Sequence, residues 1–457
     1  MISLPNPFEI AHGLVGRSDL PIPEWLFGWA AAVVLVVSFV ALAVLWPDPR
    51  LEDGGFRPLP RALSRALLSR PVEVLAGAAG VFVLGLTVYS GFEGVQSATT
   101  NFAPTFVYVI FWVGLVPVSV LLGDVFRAFN PWRAIGRATG WLVQRASSTT
   151  PAPLPYPEGL GRWPAAAGLL AFAWMELVSS NGDSPRNLAI ATLIYSGLTF
   201  IGMALYGVER WCDRGEAFSV YFNLFSRLSA VERRGDAIGL RKPLSGLSRL
   251  DPLPGTVALL AVMIGSVTFD GAAEGSLWGS IAPHLTDFFG SLGLSPVRAI
   301  EGAFTIGLIG SVVIVGGFYR LGIAGARSVG GGFDTTRLSR TFVHSLVPIA
   351  LVYVAAHYLT LLLYQGQAIE YLAADPLGRD PDLQRTIDYG VIGATAAWYW
   401  QVGFVVSGHC AALALAHDRA LVVYEKARLA VRSQYWMLVI MIGFTSLALW
   451  LLSQANA

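Results

Sequence analysis

Charged residues are scarce in this sequence, since only 13% of its 457 residues are Asp, Glu, Lys or Arg. An average soluble protein has about 25%. Hydrophobic residues make up 54% of the chain, and the mean hydropathy is +0.58. Apolar runs of roughly 20 residues recur, the length needed to cross the hydrocarbon core of a bilayer. The composition excludes an ordinary soluble globular protein and predicts a multi-spanning membrane protein.

Two other features are missing. Only two cysteines occur, Cys212 and Cys410, and both fall on the cytoplasmic side of the topology predicted below. We therefore expect free thiols and no disulfide. Residues 1–20 lack the apolar core of a signal peptide, so none is predicted there.

Ten apolar runs lie between charged or Pro/Gly-rich breaks and predict an all-α bundle of about ten transmembrane helices. The longest gap, 208–254, is too short and too polar for a soluble core, so residues 1–457 are expected to form a single integral membrane domain. The predicted spans are 24–46, 71–91, 104–123, 163–180, 187–207, 255–270, 303–320, 342–365, 388–412 and 434–453.

The basic residues are distributed unevenly between the two sets of alternate loops. Segments 47–70, 124–162, 208–254, 320–341 and 416–433 hold all but five of the 31 Lys and Arg residues. Positive loops stay in the cytoplasm. We therefore expect a plasma (inner) membrane protein with both termini extracytoplasmic, whose partner is the lipid bilayer and not nucleic acid.

The cytoplasmic segments show further patterns. Segments 130–145 and 216–229 each carry apolar residues on one helical face, which predicts amphipathic helices lying in the plane of the interface. Asn130 and Pro131 have the residue types of an N-cap and a first helical position. Acid–arginine pairs end four predicted spans, as in "GDVFR" and "AHDR". They predict short-range ion pairs at the headgroups or a gate of paired charges.

A weak internal echo suggests two parallel repeats of four spans, about 71–207 and 255–412. "TVYSGFEG" ends the second predicted span and "SVTFDG" ends the sixth. A true repeat would place Glu93 and Asp270 in equivalent positions at the outer face.

The segment "HSLVPIALVYVAAHYLTLLLYQGQ" (344–367) is apolar enough to span a bilayer yet contains His344 and His357. His344 is expected at the cytoplasmic edge, where Pro348 loosens the first helical turn. His357 is expected in the outer half of the membrane. Tyr353, Thr360 and Tyr364 lie on the same helical face, so this face should meet protein or water instead of lipid.

Several acidic residues are predicted at a similar depth. Glu176 lies in the fourth span, with Asp183 beyond it, and Asp270 and Glu93 end their own spans. Together with His357 they are the candidate metal ligands, and His357, Glu176 and Asp270 are the candidate catalytic residues. Carboxylates and an imidazole suit a divalent metal or general acid–base work on water. The spacing matches no known metal motif, so two alternatives stay open: a Glu176–His357 hydrogen bond that only joins two helices, and an ion pathway.

The patterns around the remaining histidines indicate a functional role less clearly. His409 and His417 could form an inner polar cluster with His344, but the helical offsets between the histidines disfavour bis-histidine haem ligation. The sequence specifies no cofactor beyond the possible divalent metal. His12 precedes the first span and is expected to be an exposed histidine on the outer side. His284 is expected in an outer loop without a special role.

Four stretches resemble a bacterial family of membrane proteins often labelled fenitrothion hydrolases. They are "AHGLVGRSDLPIPEWLFGWAAAVVLVVSFVALAVLWP", "LGDVFRAFNPWRAIGR", "GDSPRNLAIATLIYSGLTFIGMALYG" and "AFSVYFNLFSRLS". The resemblance implies membrane-bound hydrolysis of an organophosphate ester and a possible second membrane subunit. It supplies no catalytic residues. In some relatives the A-H-G stretch follows a cleavable signal peptide. Here only eleven residues precede His12, and they contain no apolar run.

Three functions therefore compete. The first is a hydrolase of an ester small molecule that enters from the outer interface, with His357 or a metal activating water. The second is a transporter or proton-coupled permease, in which the inner histidines supply the other half of a path. The third is a structural subunit of a membrane complex, with 208–254 as its docking surface.

Overall fold

Apolar runs of this length become helices because a helix satisfies its own backbone hydrogen bonds in a medium without water. A computed structural model describes residues 24–454 except 53, 147–151, 331 and 425. His12 lies outside the described residues. The first half of the described chain contains α1 (Glu24–Leu45), β1 (Phe56–Pro58), α2 (Arg61–Leu67), α3 (Arg70–Glu93), α4 (Phe102–Leu122), α5 (Phe126–Phe129), α6 (Pro131–Ala146), α7 (Trp163–Leu177), α8 (Pro185–Tyr206), α9 (Val208–Arg214) and α10 (Ala217–Ser226).

The second half begins with a short hairpin and continues as helices. It contains β2 (Val231–Arg234), β3 (Ala237–Arg241), α11 (Thr256–Ala273), α12 (Ser276–Ser291), α13 (Pro296–Ser328), α14 (Thr335–Phe342), α15 (Leu346–His357), α16 (Leu359–Tyr364), α17 (Ile369–Ala374), α18 (Ala394–Val423), α19 (Ala427–Ser433) and α20 (Tyr435–Gln454). The predicted all-α helical bundle is confirmed.

Nine helical segments of the described chain are long and apolar enough to cross a membrane, one fewer than the ten predicted. The difference is the predicted span 163–180. Its helix α7 ends at Leu177 after 15 residues, which corresponds to about 22 Å of rise and falls short of a bilayer core of about 30 Å. The nine segments nevertheless give the chain the architecture of a multi-pass membrane protein.

The two predicted interfacial helices behave differently. In α6, Asn130 Oδ1 accepts a hydrogen bond from the Arg133 amide at 2.9 Å, as expected for an N-cap, and the second half of the helix is exposed. Helix α10 is instead buried inside the bundle against α4 and α7, with Phe222 and Phe225 fully covered. The in-plane prediction for 216–229 is therefore wrong, because a bundle can cover an amphipathic face as well as a membrane surface can.

A small sheet joins two of the basic loops. Strand β3 lies between β1 and β2 and pairs antiparallel with both, with Phe56 opposite Arg241 and Val231 opposite Leu240. Segments 56–58 and 231–241 therefore lie on one face of the bundle, which we call the sheet face. On the opposite face, the amide of Val95 donates to Leu377 O at 2.8 Å, so loops 94–101 and 375–380 meet there.

Acidic and basic side chains on the sheet face pair between loops instead of within each short motif. Arg127 lies 2.9 Å from Glu209 and 3.2 Å from Asp213, and Arg419 lies 3.2 Å from Glu52. Burial acts to raise the pKa of Glu209, but the neighbouring arginines of α5 and α6 outweigh it and hold this pKa below its usual value. The network ties α6 to α9.

The cysteines are free thiols, as predicted. A version without native cysteine, carrying a new cysteine at Ser97 or Asp380, should react with an impermeant thiol reagent added outside intact cells. A cysteine at Asp236, on the sheet face, should react only after permeabilisation, because the sheet face carries the excess of arginine. Labelling of position 236 in sealed cells would reverse the predicted orientation.

Candidate functional site

The polar segment predicted to contain His357 is not one continuous helix. Residues Val343–Ser345 form a 3₁₀ turn before α15, close to the loosening expected from Pro348. Helix α15 then ends at His357, and α16 begins at Leu359. Tyr358 lies between them with φ −94° and ψ 13°, outside the regular helical range. The amide of Tyr358 still donates to Val354 O at 3.0 Å, and that of Leu362 to Tyr358 O at 2.9 Å, so the helix is interrupted for a single residue directly after the histidine that the sequence singled out.

This break directs two neighbouring side chains to one carboxylate. Asp270 Oδ2 accepts a hydrogen bond from His357 Nε2 at 2.9 Å and another from the Tyr358 hydroxyl at 2.6 Å. Asp270, in the last turns of α11, is only 4% exposed, and Tyr358 is 1% exposed. The sequence-predicted residues Asp270 and His357 therefore meet directly, and Tyr358 is a third member that the sequence analysis missed.

A small cavity lies on the other side of the imidazole. It has a volume of about 20 Å³ and is lined by His357, Gly271, Tyr353 and Val405, among others. Gly271 faces the Nδ1 and Cε1 side of the ring, since a Cβ added there would lie 3.6 and 3.5 Å from these atoms. A volume of this size holds one water molecule. His357 is thus placed between a carboxylate and a space for a single water.

Glu176 belongs to the same region but not to the same hydrogen bonds. Its Oε2 is buried and has no hydrogen-bond partner among the residues that the structure describes. The residue lies close enough to the carboxylate of Asp270 and the phenol of Tyr358 to influence them electrostatically. The carboxylate that bonds His357 is thus Asp270, where the sequence offered Glu176 as the partner. A buried carboxylate oxygen without a donor is costly to leave in place, which is typical of a site that gains a proton or a ligand during function.

Aromatic side chains enclose these polar groups. Residues Thr105–Gly114 of α4 form a π-helix, and its Trp112 lies with its ring centre 5.0 Å from that of Tyr358. Tyr221 of the buried helix α10 interacts electrostatically with Glu176. π-Helical segments occur frequently at functional sites. No sequence signal separated Trp112 and Tyr221 from the other aromatic residues of their apolar segments.

The remaining expected ligands lie apart from this cluster. Asp183 is exposed and interacts with Tyr108, and the backbone carbonyl of the exposed Glu93 accepts a hydrogen bond from Arg379 at 2.7 Å. Within the described residues, no three His, Cys, Asp or Glu side chains are grouped so that they could hold a metal ion. The structure therefore does not assemble the five predicted ligands into one site. The two residues that a repeat would place in equivalent positions also differ in environment, since Glu93 is exposed and Asp270 is buried.

The three inner histidines each bond a backbone carbonyl instead of forming a cluster. His344 Nδ1 lies 3.1 Å from Thr341 O, His409 Nδ1 2.7 Å from Val405 O, and His417 Nε2 3.0 Å from Trp46 O. A ring nitrogen beside a carbonyl carries the proton, so the other nitrogen of each ring is an acceptor when the ring is neutral.

His409 differs from the other two in its second nitrogen. The residue is fully buried, and within the described part of the chain its Nε2 has no hydrogen-bond partner. Its ring centre lies 6.3 Å from that of Tyr353, which lines the His357 cavity together with Val405. The cavity therefore lies between His357 and the helical turn that holds His409.

Comparison of the chain with protein-family profiles, curated proteins and solved structures finds no match in any of the three. The resemblance to fenitrothion hydrolases remains a prediction. The proposal for the function of this chain therefore rests on the geometry of the site.

Proposed function

We propose that this chain is a membrane transport protein whose Asp270–His357–Tyr358 group, with Glu176 beside it, binds and releases protons. The observation that carries the proposal is the single buried oxygen Asp270 Oδ2, which holds both the imidazole and the phenol at a helix break. Ionisable side chains inside a membrane bundle are expensive to bury and mark proton or ion paths. Histidine changes its charge near neutral pH, which suits it to such a relay.

The irregular helices beside the site support transport, whereas the sequence alone gave no sign of interrupted membrane helices. Discontinuous membrane helices are a recurring feature of transporter binding sites. Here α15 breaks at His357 and α4 contains a ten-residue π-helix, both beside the same cluster. Backbone that departs from regular α-helix can rearrange between two states more readily than a continuous helix.

The inner end of the proposed path is His409. The cavity of about 20 Å³ beside His357 has room for one water, and the unpartnered Nε2 of His409 is a buried acceptor behind Tyr353 and Val405. A proton leaving His357 through that water would find this acceptor next. Of the three inner histidines, His409 is the one with a buried ring nitrogen that lacks a partner among the described residues, so His344 and His417 are not needed as carriers in this scheme.

Ester hydrolysis is the second candidate, and one observation favours it. A carboxylate that orients an imidazole beside a space for one water is the arrangement of a general base. The organophosphate substrate implied by the resemblance would have to enter from the outer interface. The space beside His357 admits water but not an ester, so hydrolysis would require the bundle to open there.

A docking role for segment 208–254 has less support. Its helix α10 is covered by helices of the same chain. A second membrane subunit would therefore have to meet the exposed residues of the segment, such as those of the β2–β3 hairpin, and not α10.

Proton flux in proteoliposomes tests the transport proposal. With the purified protein, a potassium-diffusion potential and an internal pH dye, His357→Gln and His409→Gln should each lower the proton flux at least tenfold. His284→Gln is the matched control, because this histidine is exposed on α12, and it should leave the flux unchanged. Equal flux in all four proteins would contradict the proposal.

The same preparations separate transport from hydrolysis. Hydrolysis of a chromogenic organophosphate ester, with and without chelator, should be no faster than background in every protein. Hydrolysis that is lost in His357→Gln and retained in His409→Gln would make the enzyme the correct function, because His409 lies on the far side of the cavity. Chelator sensitivity would further assign it to a metal.

A further inference from the structure

A second cavity opens on the sheet face, away from the proposed proton site. It has a volume of about 760 Å³ and lies at the C-terminal end of α8, where the chain turns into α9. Its lining includes Arg137, Tyr156, Tyr206, Glu209 and Arg210. The cavity thus combines aromatic and charged side chains at the end of a membrane-spanning helix, the depth at which lipid headgroups lie.

The aromatic wall is fixed in place by specific contacts. The rings of Tyr156 and Tyr206 meet edge to face with their centres 5.0 Å apart. The Tyr156 hydroxyl donates to Gly161 O at 2.8 Å, and the guanidinium of Arg214 lies over the Tyr156 ring at 5.6 Å. Tyrosine, whose ring is apolar and whose hydroxyl needs a hydrogen-bond partner, is enriched at the membrane interface.

The positive charges of the cavity are only partly neutralised. Arg137 is held by Glu73 and Glu209. Arg210 lines the cavity, and Arg214, one helical turn further along α9, reaches it over the ring of Tyr156. Neither arginine is in an ion pair between described residues. Guanidinium groups bind phosphate oxygens through paired hydrogen bonds. These two arginines therefore supply a positive charge suited to a phosphate.

An exposed apolar strip leads to the mouth of this cavity. Leu198, Ile201 and Leu205 lie on one side of α8 and are 61%, 58% and 42% exposed. The spacing of three and four residues keeps them in one row along the helix. Leu205 O accepts the amide of Leu154 at 2.8 Å, which places the cavity wall directly at the end of the row. Acyl chains along α8 would bring an attached headgroup to the arginines.

We propose that this cavity binds the headgroup of an anionic phospholipid, with its phosphate between Arg210 and Arg214 and its acyl chains along α8. Basic pockets between membrane helices on the positively charged side are suited to such headgroups. Free phosphate would meet the same arginines but would make no use of the apolar row, so the lipid is the occupant that matches both features. The proposal is independent of the function of the Asp270–His357–Tyr358 group.

Native mass spectrometry of the full-length protein in detergent, titrated with phosphatidylglycerol or phosphatidylcholine, tests the proposal. The wild type should retain phosphatidylglycerol preferentially. The double variant Arg210→Ala/Arg214→Ala should bind it about fivefold more weakly for each arginine removed. The matched control is Arg57→Ala/Arg233→Ala, which removes two exposed arginines from the sheet on the same face, and it should bind as wild type does.

Three results would overturn the proposal. Equal losses in both double variants would show attraction to net charge alone. Equal retention of the two lipids by wild type would show no headgroup selectivity. Displacement of the lipid by soluble glycerol phosphate at matching concentration would show a site for free phosphate. As the folding control, both double variants should unfold at the same temperature as the wild type. The variant Arg210→Gln/Arg214→Gln keeps hydrogen-bonding capacity, and it should bind phosphatidylglycerol as weakly as the double alanine variant because the charge is required.

Discussion

Replacing Asp270 by alanine is expected to destabilise the protein by about 2 to 6 kcal/mol. The substitution leaves two buried donors without an acceptor, His357 Nε2 and the Tyr358 hydroxyl, and each such loss costs about 1–3 kcal/mol. Few single substitutions have effects at the upper end of this range. Thermal unfolding in detergent, followed by the intrinsic fluorescence of the protein, measures the change in stability.

Companion variants separate the hydrogen bonds from other effects. Asp270→Asn keeps the shape and one acceptor oxygen, so it should be less destabilising than alanine while still lowering proton flux. Asp287→Ala removes an exposed carboxylate from α12 and should change stability by less than about 0.5 kcal/mol. In a double-mutant cycle with His357→Ala, the two residues should couple by about 1–3 kcal/mol. Additive effects would mean that the hydrogen bond contributes nothing to stability.

Part of this site was predictable from sequence. Ionisable residues in apolar runs are rare enough to be noticed, and that signal alone selected Asp270, His357 and Glu176. Their connections were not predictable. On a continuous helix His357 and Tyr358 would point about 100° apart, so no periodicity argument brings both to one oxygen. Both reach that oxygen at the irregular turn between α15 and α16.

The fold shows the same division. Run length and hydrophobicity located the membrane helices, because both are set by the thickness of the bilayer. The predicted helix ends were less accurate, since the predicted span 388–412 corresponds to the helix Ala394–Val423. A buried helix can continue past its apolar run when other residues form hydrogen bonds with its polar side chains. Asp418 is an example, since it accepts hydrogen bonds from Trp46 Nε1 at 2.9 Å and the Arg50 amide at 2.6 Å. Such partners come from residues distant in sequence.

A close backbone approach between α3 and the end of α5, just before α6, leads to the second large expected effect. A Cβ added to Gly80 would lie 1.9 Å from Phe129 O and 2.9 Å from Phe129 C. Backbone atoms cannot move aside as a flexible side chain does, so the two elements would have to separate. The nearby ion pairs of Arg137 with Glu73 and Glu209 link α6 to α3 and α9 and would be strained by that shift.

Gly80→Ala should therefore destabilise the protein by about 1–3 kcal/mol, the usual cost of overpacking, and lower its thermal midpoint. Gly85 lies on the same helix and has no atom within 4 Å of an added Cβ, which makes Gly85→Ala the matched control. Alanine is the better helix former by about 1 kcal/mol, so the control should be neutral or slightly more stable. The opposite signs follow from the 1.9 Å approach to Phe129. A Gly80→Ala protein as stable as the Gly85→Ala protein would mean that α3 and the end of α5 are not in contact at Phe129.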